Sequence, residues 1–490
     1  MNAPGGLLTK AVRGGLWLLS LRITQQTLLI VRLAILARLL SPNDFGLMGI
    51  ALLTMTVLDS LTQTGFDVAL IQKKERTDEY LDSAWTVEIL RGLALFGILQ
   101  LLAAPASKFF NSPDAELLIR TLGLSLVLRG FLNIGTVYFR KELEFGKQFA
   151  FEFSGRVADF VVAVVAGFIL KNAWVLVLAY VAADLMRVMA SYVIHPYRPR
   201  FRLEIGKAGE LFHFGKWILG SSALVLLLNR GDRALIGRIL GATMLGFYEM
   251  AYKISNFSAT EFALVISQVT IPAYSKLQDR IGRLREGYLR VLQVTSFFSI
   301  PLAGLIVVLA PELTRALLGG KWLEAIPAMR ALALGGALRS IVSTTGPVYM
   351  GIGKPSIMAK YQAIHVCVLA AIIYPLAHHW GILGVAGAVT IAAVIPSGLF
   401  LRGVIRIVEC PVSAPLRLLA FPTGAALIAC VPVIALKMTH VAAGTPWPQF
   451  ALLVASYTVT YLVFTHAVGR YWGYHVTPLV REVLDSVRRR

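Results

Sequence analysis

Long apolar runs constrain this chain more than any other feature. Read with the ruler of about twenty mainly apolar residues per membrane span, the sequence divides into fourteen segments: 13–40, 45–71, 82–104, 115–139, 149–170, 173–195, 214–240, 244–272, 291–318, 325–350, 356–377, 381–403, 414–436 and 448–469. Inside a bilayer the backbone finds no water, so each open-ended span must satisfy its own peptide groups as a helix. The expectation is an all-α polytopic membrane protein with about fourteen transmembrane helices. Composition agrees. Of 490 residues, 57% are hydrophobic and 15% charged, with a mean hydropathy of +0.69, whereas soluble domains carry about 25% charge. After Lys10 and Arg13 the apolar pattern runs on to Leu40 without a small-residue cleavage site, so the first segment reads as a retained span.

The net charge of +20 would suit nucleic acid or a membrane face, and the placement of the cations decides for the membrane. One alternating set of loops holds Lys10 and Arg13; Lys73, Lys74 and Arg76; Arg140, Lys141 and Lys147; and Arg198, Arg200, Arg202 and Lys207. It continues with Lys276, Arg280, Arg283, Arg285 and Arg290, then Lys354, then Arg402 and Arg406, then Arg481 and Arg488 to Arg490. The opposite loops hold Lys108, Lys171, Lys321 and Lys437. Retained Lys and Arg mark the cytoplasmic side, so both termini are expected there. The basic connections 196–213 and 273–290 are expected along the inner leaflet. Three cysteines, Cys367, Cys410 and Cys430, show no CxxC spacing and imply neither disulfide nor metal.

A duplication is visible in the pattern. Arg38 and Arg238, Gly46 and Gly246, and Trp17 and Trp217 match at an offset of 200 residues; Arg120 and Arg330, and Arg129 and Arg339, match at 210. A repeat of six spans keeps one orientation, as in transporters that hold substrate near the midplane between halves. The expected organisation is an N-lobe (1–195), a cytoplasmic amphipathic connection (196–213), a C-lobe (214–403), and two further spans with a basic tail (404–490).

An ionised side chain at the bilayer centre costs roughly 2.5–3.5 kcal/mol on insertion scales, yet the first ten spans hold many. Glu88/Arg91, Glu152/Arg156, Asp184/Arg187 and Glu249/Lys253 are spaced to pair on one helix face. Arg22, Arg32, Arg129 and Arg339 lack an acid three or four residues away. With Arg230 and Arg233 they are the candidate cations of a substrate cavity, since guanidinium is planar, permanently charged and suited to phosphate. Asp59, Glu88, Asp159 and Glu261 are candidate carboxylates for coupling to H+ or Na+, with cross-helix ion pairing the competing role. His365 reads as a packing residue. The run Gly351-Ile-Gly-Lys354-Pro355 departs from the phosphate-loop spacing and reads as a turn between spans. The sequence shows no nucleotide motif, metal cluster, cofactor signature or catalytic triad.

The runs LARLLSPNDFGLMGIA (36–51) and GDRALIGRILGATMLGFYEMAYKI (231–254) resemble a known family. GKP (353–355), Pro375 and WGILGVAGAVT (380–390) add to the likeness. The family is the polysaccharide transporter branch of the multidrug/oligosaccharidyl-lipid/polysaccharide exporter superfamily, and within it the Wzx-type flippases. The resemblance implies two six-helix lobes around a central cavity, plus two extra helices, in the bacterial inner membrane. It implies an undecaprenyl-pyrophosphate-linked oligosaccharide as substrate, moved outward by ion-coupled alternating access, and a polysaccharide polymerase and chain-length regulator as partners. A multidrug exporter of the same superfamily would need an acid-dominated site. A membrane enzyme polymerising or ligating lipid-linked glycans would need reacting groups on a substantial outer loop, which this sequence lacks.

Overall fold

A computed structural model describes residues 24–63, 65–72, 78–142, 144–204, 206, 226, 228–256, 270–271, 273–439, 446–469, 471–472 and 474. Among the described residues there is no strand, and each of the fourteen expected spans holds helix. Eight helices are long and apolar enough to cross a membrane, or nine when one bent pair counts as a span. The elements used below are α1 (24–39), α2 (Pro42–Ser60), α3 (Phe66–Gln72), α4 (Asp78–Phe109), α5 (Ala115–Leu122), α6 (Leu124–Gly130), α7 (Val137–Lys141), α8 (Phe145–Leu170) and α9 (Trp174–Ile194). They continue with α10 (228–239), α11 (Gly241–Ser255), α12 (Ile281–Leu313), α13 (Ile326–Ser343), α14 (Gly346–Gly351), α15 (Pro355–Ile407), α16 (Ser413–Met438) and α17 (Pro446–Gly469).

Two compact units divide the chain, Met1–Gly246 and Phe247–Arg490. In the first, α8 packs along α9 and α4 crosses α5 and α6. The crossing is close because the small residues allow it: a Cβ on Gly92 would lie 2.6 Å from the Leu126 carbonyl oxygen, and one on Gly130 would lie 2.8 Å from that of Glu88. The start of α2 is written in its sequence. Ser41 N–H donates to the Asp44 carboxylate at 2.8 Å, Asp44 N–H donates to Ser41 Oγ at 3.3 Å, and Pro42 fills the first helical position, a capping box with proline where no amide is needed.

The turns that join α1 to α2 and α10 to α11 are alike. Leu40 N–H donates to the Leu36 carbonyl at 2.8 Å, and Leu240 N–H donates to the Ile236 carbonyl at 2.8 Å. All four side chains except Leu240 are fully or almost fully buried. The offset of 200 residues seen in the sequence is therefore a repeated piece of structure as well.

In the second unit α12 packs against α13, α16 and α17, and α13 packs against α15. Prolines inside these helices set the contacts. A proline lacks an N–H and leaves the carbonyl four residues earlier without its helical partner. Pro301 frees the Phe297 carbonyl, which accepts from Tyr461 Oη of α17 at 2.9 Å. Pro422 frees Leu418, which accepts from Ser296 Oγ of α12 at 3.2 Å, and Pro311 frees Val307, which accepts from Arg330 Nε of α13 at 3.1 Å. Lys437 of α16 adds an ion pair to Glu312 at 2.8 Å. The 53-residue α15 is two spans end to end, since Gly381 breaks it at φ 56°, ψ −135°. The stretch 351–355 is the expected turn: α14 ends at Gly351, Gly353 takes φ 71°, and α15 begins at Pro355.

Because Tyr461 is 4% exposed and its partner carbonyl has no helical donor, Tyr461→Phe strands a buried acceptor, at about 1–3 kcal/mol. Thermal unfolding in detergent should show a lower midpoint for Tyr461→Phe. Tyr471→Phe, at a position 91% exposed, should match the parent.

Candidate functional site

The fourth expected span is not one helix. It runs as α5 and α6, stops at Gly130, and resumes through a 3-10 turn (Ile134–Thr136) into α7, with a bend of 72° between the two parts. Asn133, fully buried, organises the break. Its Oδ1 accepts from Gly135 N–H at 2.9 Å, its Nδ2 donates to the Tyr197 carbonyl at 2.7 Å, and its own N–H donates to Ser191 Oγ at 3.1 Å. Broken spans in transporters expose helix ends to substrate, and here the break places Arg129, in the last turn of α6, between two cavities.

Arg129 is the centre of a connected chain of ion pairs. Its Nε donates to Asp184 at 3.1 Å, its Nη1 lies 3.6 Å from Asp59, and its Nη2 donates to the Tyr180 hydroxyl. Asp184, 2% exposed, also receives Arg187 Nη1 at 2.7 Å. Asp59 also receives Arg91 Nη2, and Arg91 Nη1 reaches Glu88 at 3.3 Å. The order Glu88, Arg91, Asp59, Arg129, Asp184, Arg187 ties together α2, α4, α6 and α9. Three acids face three arginines, which reduces the penalty of placing each in a low-dielectric setting. Arg91 has a second task. It donates to the backbone carbonyls of Asp59 at 2.9 Å and Thr62 at 2.8 Å, so a cation closes the C-terminal end of α2, where carbonyls lack partners and the helix dipole is negative.

One cavity of about 300 Å³ is lined by Arg129, Arg140, Gln148, Glu152, Asp184 and Arg187 among others. A second, of about 400 Å³, is lined by Asp59, Trp85, Glu88, Arg91, Arg129 and Asn133 among others. Arg129 lines both. Near the end of these cavities the extended segment after α9 is clamped to α4: Tyr197 Oη donates to Asp82 at 2.6 Å and Arg200 N–H to the same carboxylate at 2.9 Å. Burial and that carboxylate push the Tyr197 phenol up from its usual range.

The other expected site residues separate clearly. Arg32 of α1 pairs with Asp159 of α8 at 3.0 Å. Arg233, 5% exposed, lies 3.6 Å from Asp232 and donates to the Asn229 carbonyl. Arg230 is half-buried and makes no ion pair among the described residues. In the second unit Arg339 donates to Asn256 Oδ1 and lies 5.7 Å from the centre of the Tyr252 ring. Arg22 and Glu261 lie outside the described residues. Asp184, Tyr180, Arg187 and Arg91 were not among the expected site residues, although the pairs Glu88/Arg91 and Asp184/Arg187 were legible from their spacing and are present. The arginines read as lacking a local acid find one on another helix in two cases, Arg32 and Arg129.

Asp184→Ala removes the partner of two arginines at once. Losing one member of a buried pair costs about 3–5 kcal/mol, and the 33% exposure of Arg129 places the effect near the lower end. The thermal midpoint in detergent should fall further for Asp184→Ala than for Asp184→Asn, and Arg129→Leu should recover part of it. An unchanged midpoint for Asp184→Ala would show that the pair carries no stability.

Residues 35–327 match the model of a family described as polysaccharide biosynthesis protein. The lipopolysaccharide biosynthesis protein WzxC of Escherichia coli is 27% identical over 72% of this chain and 72% of its own. A membrane protein from the cps region of Klebsiella pneumoniae is 26% identical over 74% of this chain and 76% of its own. Among solved structures, the lipid II flippase MurJ in an inward closed conformation superposes with a TM-score of 0.75. That match covers 93% of this chain and 99% of that one at 14% identity, a likeness of fold alone. The chain therefore belongs to the polysaccharide biosynthesis protein family, as the resemblance read from its sequence implied.

Proposed function

We propose that this protein is a flippase of the bacterial inner membrane, carrying a lipid-linked oligosaccharide from the inner to the outer leaflet. The substrate of this reading is an oligosaccharide repeat unit on undecaprenyl pyrophosphate, and both termini lie in the cytoplasm. The observation that carries it is Arg129, held at the break in a span, lining two cavities, and engaged by two carboxylates. The relatives, a lipopolysaccharide biosynthesis protein and a membrane protein of a cps region, support a saccharide as the cargo. The distribution of Lys and Arg supplies the orientation.

The chemistry is an exchange of anions. A guanidinium donates two parallel N–H bonds to a pair of phosphate oxygens as readily as to the two oxygens of a carboxylate. A pyrophosphate entering beside Arg129 competes with Asp59 and Asp184 for its N–H donors. A carboxylate displaced from its guanidinium leaves an uncompensated charge in a poorly solvated site, and a coupling cation, H+ or Na+, arriving at Asp59 balances it. Arg32 with Asp159, and Arg230, Arg233 and Arg339, extend the cationic path; Arg22 and Glu261 belong to the same reading on their sequence positions. The saccharide is then delivered to a polymerase and chain-length regulator on the far side.

Arg129→Gln should abolish surface polysaccharide while the protein inserts and accumulates normally, and lipid-linked repeat units should build up on the cytoplasmic side. Asp59→Asn should leave substrate binding intact and remove the dependence of export on the proton or sodium gradient. Normal polymer from a correctly inserted Arg129→Gln protein would overturn the assignment.

A further inference from the structure

A third cavity of the first unit, about 600 Å³, is larger than either cavity beside Arg129. Its size lies within the roughly 300–1,000 Å³ of small-molecule sites. It is walled by the starts of α2, α5 and α9 and by the turns before α5 and α9. The same spans hold the chain of ion pairs at their other ends, through Asp59 in α2, Arg129 in α6 and Asp184 in α9. Gly123 keeps helical angles between α5 and α6, so Arg120 of the cavity precedes Arg129 by nine residues, about 13 Å along a helix. The turns around the cavity belong to the loops poor in Lys and Arg.

The chemistry of the lining is mixed. Two of its three carboxylates are engaged. Asp44 accepts from Ser41 N–H at 2.8 Å and Ser41 Oγ at 2.6 Å, and Glu116 Oε1 accepts from Arg120 Nε at 3.1 Å and Nη2 at 2.8 Å. Asp114, which is exposed, caps no amide and makes no ion pair among the described residues. One open carboxylate falls short of the six to eight oxygens a calcium ion takes, and among the described residues no group of three metal-ligating side chains occurs. The two amides are oriented by their oxygens. Asn43 Oδ1 accepts from Thr243 Oγ1 at 3.3 Å and Asn172 Oδ1 accepts from Trp174 N–H at 3.1 Å, which leaves each Nδ2 as an open donor. The half-buried indole of Trp174 faces the same space. Three acids against one arginine repel a phosphate. Open donors, an open acceptor and an aromatic face instead match a sugar ring, whose hydroxyls donate and accept and whose C–H face packs on an indole.

We infer that this cavity binds the saccharide part of the cargo at the outer end of the path. Trp174 lies against a sugar ring, Asn43 and Asn172 donate to its hydroxyls, and Asp114 accepts from them. The inference rests on the export reading above for the cargo and for which end is outer. It assigns the two ends of that cargo to different chemistry on the same spans: the arginine between two cavities takes the diphosphate, and the acidic cavity takes sugars and rejects phosphate.

The probe is the free oligosaccharide repeat unit of the host's own surface polysaccharide, carrying neither lipid nor phosphate. It is titrated against the purified full chain in detergent and followed by saturation-transfer NMR. Trp174→Ala and Asn172→Asp should each weaken binding about tenfold, while Arg129→Gln should bind as the parent does. Asn172→Asp keeps the acceptor for Trp174 N–H and removes only the donor, so the start of α9 is preserved. Inorganic pyrophosphate should not displace the probe. A parent that does not bind, or equal binding by parent, Trp174→Ala and Asn172→Asp, overturns the site. Calcium binding that Asp114→Asn abolishes and the probe does not displace marks a cation site and also overturns it. A second measure reads the side. With Cys367, Cys410 and Cys430, which are unpaired, replaced by Ser, Asp114→Cys should react with an impermeant maleimide outside spheroplasts, and the probe should slow the reaction. Equal rates with and without the probe overturn the site. The two claims fail separately: a deletion strain with intact surface polysaccharide overturns the export reading, whereas a parent that flips lipid-linked cargo without binding the free probe overturns the site alone.

Discussion

Inside lipid, a polar group without a partner is stranded, and this constraint organises both units of the molecule. Prolines in α12 and α16 free the carbonyls of Phe297, Val307 and Leu418, and donors from neighbouring helices meet each one. The exposed C-terminal carbonyls of α2 are met by Arg91. The same rule extends to charge: Arg32 meets Asp159, and Arg129 meets Asp184 and Asp59. Helices that could slide freely in an apolar medium are held in register by these polar contacts, because hydrophobic burial gives little drive for helices to associate there.

The chain of ion pairs around Arg129 is therefore both scaffold and candidate site, and the two roles are compatible. In the proposed function, a carboxylate that stabilises a guanidinium in the resting protein is also the group a phosphate displaces. The break between α6 and α7 sets that guanidinium beside cavities rather than in sealed packing. The second unit shows a related arrangement. Arg339 lies near the end of α13, ahead of the interruption at Thr344 and Thr345, with an aromatic ring beneath it, as Arg129 has Tyr180 at 5.5 Å. Its hydrogen-bond acceptor is an amide, Asn256, in place of a carboxylate.

What could be read from the sequence follows the range of the signal. Span positions are local, set by hydropathy over about twenty residues, and each expected segment contains helix in its described part. Pairs three residues apart, Glu88/Arg91 and Asp184/Arg187, are likewise local and are present. The join of Arg129 to Asp184 spans 55 positions, and nothing in one sequence reports which helix faces which. The break in the fourth span was hidden because 115–139 is apolar enough on average to read as one continuous span. Its signals are modest: Gly130, Asn133 and Gly135, of which Asn133 supplies the cap. The repeat was legible as matched residues at an offset of 200, and the structure gives those matches a physical reason, since Gly46 and Gly246 must both be small for one crossing to form.

The central claim is movement of a lipid-linked saccharide through a path that includes Arg129. Purified protein reconstituted into vesicles with an oligosaccharide linked to undecaprenyl pyrophosphate tests it most directly. The measurement is the fraction of lumenal-leaflet glycolipid that becomes accessible to an impermeant glycosidase outside. The account predicts that this fraction rises with time in vesicles holding the parent protein and stays at the protein-free level with Arg129→Gln. Equal accessibility in parent, variant and protein-free vesicles would contradict it.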